Sequence, residues 1–295
     1  MTRTDEPDTR PDLDRLLDTQ TWGGSTPALR LLGFAVKVHT TDPVLADYVA
    51  DLYAPMRTTA TVDHTLSLAE SGTGQFLVHL DGIRRVETRS PAVAFARLIW
   101  EANRQAIEHT ADRVLLHAAA AAIDGRGVVI TGPMGAGKST LVATIVRDGA
   151  AYLTDEVVAI DPVRAMVDPY PKPIALGGFG LTIPPVLEPL RPTLPAGIDR
   201  YVGDRWLVAP QAVAPRTPIA AVIVPRYDPD ATPSLEPLRP ADALVALAEH
   251  AFNLATDGQR ALDTLAAVAE TAACFRLVSA DPDAAAALIA DAVTA

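Results

Sequence analysis

The chain has 295 residues, about half of them apolar, and a formal net charge of -11. That size suits one large or two ordinary globular domains, and the acidic balance speaks against sequence-independent nucleic-acid binding, which needs surplus Lys and Arg against phosphates. A single cysteine, Cys274, excludes an internal disulfide and a cysteine-rich metal site.

The opening stretch MTRTDEPDTRPDLD lacks a basic segment followed by an apolar one, so no signal peptide is expected. Residues 1–25 read as a flexible tail rich in Asp, Thr, Arg and Pro. No apolar run is long enough to span a membrane, and the expected location is cytoplasmic, away from membranes and nucleic acid.

Residues 26–112 read as a small α+β domain. LRLLGFAVKVHT, HTLSLAE, QFLVHLDG and IRRVETR have the pattern of strands, with a turn at Asp81-Gly82. Ser90-Pro91 has the form of a helix start, and Phe95, Leu98, Ile99, Ala102 and Ala106 follow at helical spacing. His39, His64 and His79 are scattered without the spacing of a metal-ligand set.

Residues 113–295 form the second expected domain. VLLHAAAAAIDGRGVVITG reads as two strands joined at Asp124-Gly125, which places Ile123 opposite Arg126 and His117 opposite Gly132. A four-residue turn would instead bring His117 opposite Met134. A helix at 139–149, a strand AAYLTDEVVAI and a strand near 220–227 follow. After them come helices at 240–255, 257–272 and 281–294, with the strand CFRLVS between the last two.

The turn after the second strand, Gly132-Pro133-Met134-Gly135-Ala136-Gly137-Lys138-Ser139 with Thr140 behind it, matches G-x-x-x-x-G-K-[ST]. Gly135 and Gly137 let successive N–H groups turn inward as a nest for phosphate oxygens, and the following helix aims its positive end at the same anion. Lys138 supplies a point charge for the β- and γ-phosphates, and the Ser139 hydroxyl can ligate Mg²⁺. Nucleotide binding is the expected property.

Asp155 and Glu156 end an apolar run one helix later, where an acid can hold a Mg²⁺ shell or take a proton from an incoming hydroxyl. Adjacent strand residues point to opposite faces unless a bulge intervenes, so one acid can serve the site without the other. Only Lys37, Lys138 and Lys172 are lysine in a chain that otherwise uses arginine, which marks Lys172, on the stiff segment PYPKPI, as a candidate phosphate or substrate contact. Arg226 and Arg260 are candidate charge stabilisers without a motif behind them. His250 and Asn253, three apart on one expected helix, suit a nucleotide contact or the capping of a neighbour.

LHAAAAAIDGRGVVITGPMGAGKST…AYLTDEVV resembles the HPr kinase/phosphorylase family and its wider HPr-kinase-like group, whose core is related to phosphoenolpyruvate carboxykinases. The resemblance is specific over about 113–162. It implies a mixed α/β fold with α+β character, a P-loop kinase core with a smaller N-terminal domain, ATP and Mg²⁺ as cofactors, and a homo-oligomer. It also implies Asp155 as base for the accepting hydroxyl, Glu156 as a Mg²⁺ or water contact, and His117 as an orienting or phosphate-side group. Two features depart from the family: Glu156 stands where HPr kinases usually have Asp, and PKPIALGGFGL replaces their downstream glycine-rich signature. The expected reaction is therefore transfer of the γ-phosphate to a Ser or Thr hydroxyl of a peptide or small protein, as in tailoring of a ribosomally made peptide. The alternatives are a small-molecule hydroxyl kinase and a nucleotide-sensing module without chemistry.

Overall fold

The computed structural model describes residues 22–178 and 180–295; the expected tail falls outside them as far as residue 21. Its last residues belong to the fold instead. The Trp22 ring lies 5.5 Å from His39, and β1 (Gly24–Ser25) pairs with β3 (Phe34–Thr40).

With β2 (Leu29–Leu31), β4 (His64–Glu70), β5 (Phe76–Leu80) and β6 (Ile83–Thr88), these strands make a six-stranded sheet. The β3–β4 pair is parallel, so the chain must cross over between them. It does so through α1 (Pro43–Leu52), a helix not anticipated from the sequence, although Asp42 accepts from the Val44 and Leu45 N–H groups and Pro43 stands at the first position. The Asp81-Gly82 turn and the helix at Ser90 form where the sequence places them: α2 (Pro91–Glu108) is capped by Ser90 and buries Phe95, Leu98, Ala102 and Ala106.

The larger sheet contains β7 (Val114–Ile123), β8 (Arg126–Thr131), β9 (Ala151–Thr154), β10 (Val157–Asp161) and β11 (Met166–Asp168). It is completed by β14 (Thr217–Arg226), β15 (Ser234–Pro237) and β16 (Ala273–Val278), in the order β11-β10-β7-β8-β14-β16-β15 with β9 beside β7. The two-residue hairpin is present, with Ile123 opposite Arg126 and Ala118 opposite Thr131. β8 therefore has an antiparallel neighbour in β7 and a parallel one in β14. A separate ribbon pairs β12 (Ile174–Gly177) with β13 (Arg205–Val208), and the short α4 (Asp199–Val202) lies between the two strands, just before β13.

The helices cover both faces. α3 (Lys138–Arg147) and α7 (Pro282–Thr294) pack on one side, α5 (Pro240–Ala248) and α6 (Leu254–Thr271) on the other. Ala118–Ala122 of β7 are buried between these layers, and side chains this small let helices approach closely from above and below. The apolar cluster of the smaller sheet continues into Leu115, Val157, Ala159, Tyr170 and Leu207, so the two sheets share a core.

Three expected elements differ. The helix expected over 240–255 stops at Ala248, because Leu116 forms a bridge with Ala251 and the His117 N–H donates to the His250 carbonyl. Backbone pairing to β7 outcompetes continuation of an Ala-rich helix. The next helix begins at Leu254 rather than 257, and contains a non-helical Gly258. The strand expected over 150–160 is broken at Asp155-Glu156 into β9 and β10, with a register shift opposite Ala120 and Ala121. Among the described residues no helix is long and apolar enough to cross a membrane.

Candidate active site

β8 runs into the loop at Gly132, and the loop ends at Gly137, the N-cap of α3. Gly135 has φ +82° and Gly137 φ +84°, and a Cβ on either would meet no other atom. Glycine is thus required by the backbone conformation, not by crowding. The loop lines a cleft of about 710 Å³ that continues over His117, Asp155 and Glu156 on one side and Arg226, Tyr227 and Ser279 on the other. This lateral order follows from the strand order β10-β7-β8-β14-β16.

Lys138 is buried, and its Nζ donates to the Gly132 carbonyl at 2.8 Å and the Pro133 carbonyl at 3.1 Å. Burial pulls its pKa down, against the attraction of Glu156. An ammonium with three donors that has only loop carbonyls for partners is well placed to turn toward an anion in the cleft.

The break between β9 and β10 turns both acids into the cleft, against the simple alternation of a strand. Their surroundings are different. Asp155 is 3% exposed: Oδ1 receives the Tyr152 hydroxyl at 2.8 Å and lies 2.6 Å from Lys172 Nζ, while Oδ2 accepts the Ala175 N–H at 3.0 Å. A carboxylate has about four lone-pair sites, so these three donors leave room for one more on Oδ2. Glu156 is more open, with Oε1 3.5 Å from His117 Nδ1. Burial pushes its pKa up, but the His117 contact and the charges of Lys172 and Lys138 outweigh that, and the net direction is down.

Lys172, expected to face phosphate or substrate, is instead buried against Asp155, and its Nζ also donates to the Pro173 carbonyl. Arg226 reaches the cleft but pairs with Asp228 at 3.0 Å. Arg260 is committed to the Ala111 carbonyl and Asp257. His250 and Asn253 do not share a helix face. Asn253 fastens the end of β7, accepting the Leu115 N–H and donating to the Arg113 carbonyl.

Several residues near the acids were not singled out by sequence. The Phe252 ring meets His117 edge-on at 5.9 Å; His250, which the sequence did offer as a candidate nucleotide contact, has its pKa lowered by burial and by Lys138. Tyr53, from the smaller sheet's side, is buried with its hydroxyl unpartnered, and burial together with Asp155 and Glu156 pushes its pKa up. Tyr170 is likewise raised by burial and by Tyr53 and the acids; its hydroxyl donates to Asn103 of α2 at 2.7 Å. No local motif marks such contacts, which join segments tens of residues apart.

In comparisons with known proteins, no family model matches the chain, and no curated protein matches it. Among solved structures it is similar to the HPr(Ser) kinase/phosphatase from Coxiella burnetii, at 15% identity, covering 60% of this chain and 95% of that one, with a TM-score of 0.28. That name coincides with the family the sequence resembles, but a score so low decides nothing about the chemistry of this chain.

Proposed function

We propose that the chain is an ATP-dependent kinase that transfers the γ-phosphate to a hydroxyl of a peptide or small protein. The observation that carries this reading is the single cleft that joins the glycine-rich loop and Lys138 to the Asp155–Glu156 pair. Loop 132–137 and the N-terminus of α3 would hold the phosphates, with Lys138 leaving its loop carbonyls for their oxygens. Ser139 and Glu156 offer hard oxygen donors of the kind Mg²⁺ takes, and such an ion neutralises charge on the β- and γ-phosphate oxygens.

The acceptor hydroxyl donates to the open site on Asp155 Oδ2. As its oxygen forms the new bond to phosphorus, the bond from the γ-phosphorus to the bridging oxygen breaks, and the proton passes to Asp155. Lys172 and Tyr152 hold the carboxylate in place, and His117 orients Glu156. A serine of a ribosomally made peptide is the acceptor favoured by the sequence resemblance; a small metabolite is the competing acceptor.

A panel of hydroxylated peptides and metabolites, scored by mass spectrometry for phosphoryl gain, tests the reaction. Lys138→Ala should abolish nucleotide binding. Asp155→Asn should keep nucleotide affinity within a few-fold and lose transfer by 10²-fold or more, in the range of general-base contributions. Full transfer by Asp155→Asn would remove the proposed base, and tight ATP binding with no transfer to any acceptor would favour a sensing module.

A further inference from the structure

Outside the lining of the cleft, two histidines 45 residues apart meet on the surface of the smaller sheet. His64 begins β4, and His109 follows the last residue of α2. Their Nε2 atoms are 3.2 Å apart. The outer nitrogens are both engaged: His64 Nδ1 lies 2.7 Å from Asp81 Oδ2, and His109 Nδ1 lies 3.0 Å from the Gln105 carbonyl oxygen.

A carbonyl oxygen and a carboxylate can only accept, so the hydrogen-bond pattern assigns a proton to Nδ1 of each ring. In the neutral rings both Nε2 atoms then carry lone pairs, and these face each other at hydrogen-bonding distance. Two such lone pairs repel unless a positive centre lies between them, either a proton or a metal ion.

The geometry favours the metal. Two imidazole nitrogens at about 2.0–2.1 Å from a tetrahedral Zn²⁺ lie roughly 3.3–3.4 Å apart. Histidine ligands characteristically donate the remaining ring N–H to a carboxylate or backbone carbonyl, which fixes the tautomer. Here one ring has each kind of partner. Asp81 is itself held by accepting the Thr65 N–H on Oδ1 at 2.8 Å, and the buried Phe34 ring lies against both histidines, at 5.7 and 5.4 Å. The C-terminal end of α2 also points its negative dipole at His109, which favours a cation there.

We propose that His64 and His109 form a two-histidine site for a divalent transition ion of the borderline kind, Zn²⁺ foremost, which ties the end of α2 to β4 and the β5–β6 turn. Among the described residues no group of three or more His, Cys, Asp or Glu side chains gathers as a metal site. Water would therefore complete the shell, making this an open, exchangeable site. Imidazole suits Zn²⁺, Cu²⁺ and Ni²⁺ and excludes Mg²⁺, so the ion is distinct from any used in the cleft.

The test titrates Zn²⁺ into tag-free, Mg²⁺-saturated protein by calorimetry, alongside His64→Gln, His109→Gln and Asp81→Asn. The side chains lie at the surface, so the metal-free melting temperatures should agree and show that each variant folds. The wild type should bind one equivalent that either histidine variant loses, and its melting temperature should rise with zinc. Asp81→Asn keeps the Oδ1 acceptor for Thr65 and should weaken binding about 10–100-fold, the usual effect of losing an outer partner. Cobalt should give visible bands in the wild type that are absent in His64→Gln. Zinc binding that is unchanged in both histidine variants, or no binding by the wild type, overturns the proposal and leaves a proton as the centre between the rings.

Discussion

At the residue scale the acid pair shows how one dipeptide can supply two unlike groups. Asp155 is buried among three donors and Glu156 stands open beside His117. Lys172 is the ionic partner of Asp155, and both are buried. Replacing Lys172 with Met leaves a buried carboxylate without its counter-ion, a loss of about 3–5 kcal/mol in measured cases. Chemical denaturation should show a loss in that range, and transfer should fall while nucleotide affinity stays near wild type. Tyr53 gives the opposite expectation. Its buried hydroxyl has no partner, and a buried unsatisfied group costs about 1–3 kcal/mol. Tyr53→Phe should leave stability unchanged or raise it; a clear loss would reveal a bonded water or partner at that hydroxyl. Glu156 adds a pH dependence. Its folded pKa is depressed below 4.5, so its stabilising contribution is complete above that value and is lost as the pH falls through the folded pKa. Glu156→Gln should lower the melting temperature on the neutral plateau, where that contribution is complete, and flatten the acid limb, so that the two proteins converge at low pH.

At the element scale the β7–β8 hairpin does most to assemble the site. Asp124 and Gly125 both have positive φ, +49° and +76°, as a two-residue hairpin turn of this twist requires. That turn sets the register that carries His117 to the level of the loop beyond Thr131. Gly125→Val should cost about 1–2 kcal/mol through its left-handed backbone, and a parallel fall in nucleotide affinity would show that register and site are coupled. This hairpin was legible in the sequence because turn chemistry and ladder arithmetic are local. The Ser90 cap, the Asp81-Gly82 turn and the glycine loop were legible for the same reason. Periodicity says which face a residue takes, not what lies across from it. The parallel pairing of β8 with β14, the Lys172–Asp155 ion pair and the meeting of His64 with His109 therefore could not be read. The missed α1 carried an Asp42-Pro43 start signal, whereas the overlong helix at 240–255 had no local stop signal, since β7 itself ends it.

At the scale of the whole molecule, the sequence division at residue 112 separates two sheets but not two cores. Phe95 and Leu98 belong to one apolar cluster with Leu115, Val157 and Tyr170, and the Tyr170 hydroxyl reaches back to Asn103. Arg200 extends this linkage at the surface, pairing with Asp42 and Glu70. If the shared cluster sets cooperativity, the chain should unfold in one transition despite its size. Trp100 lies on α2 and Trp206 on β13, one in each part. Single-tryptophan variants retaining one or the other should report the same melting temperature, matching far-UV circular dichroism. Phe95→Ala empties part of the cluster from the side of the smaller sheet, at a cost of about 3–5 kcal/mol, and should lower both tryptophan signals together. A shift confined to Trp100 would mean that the smaller sheet opens alone, with Tyr53 and Asn103 withdrawn from behind the acids. Nucleotide affinity measured across that first transition would then show whether the cleft survives without them.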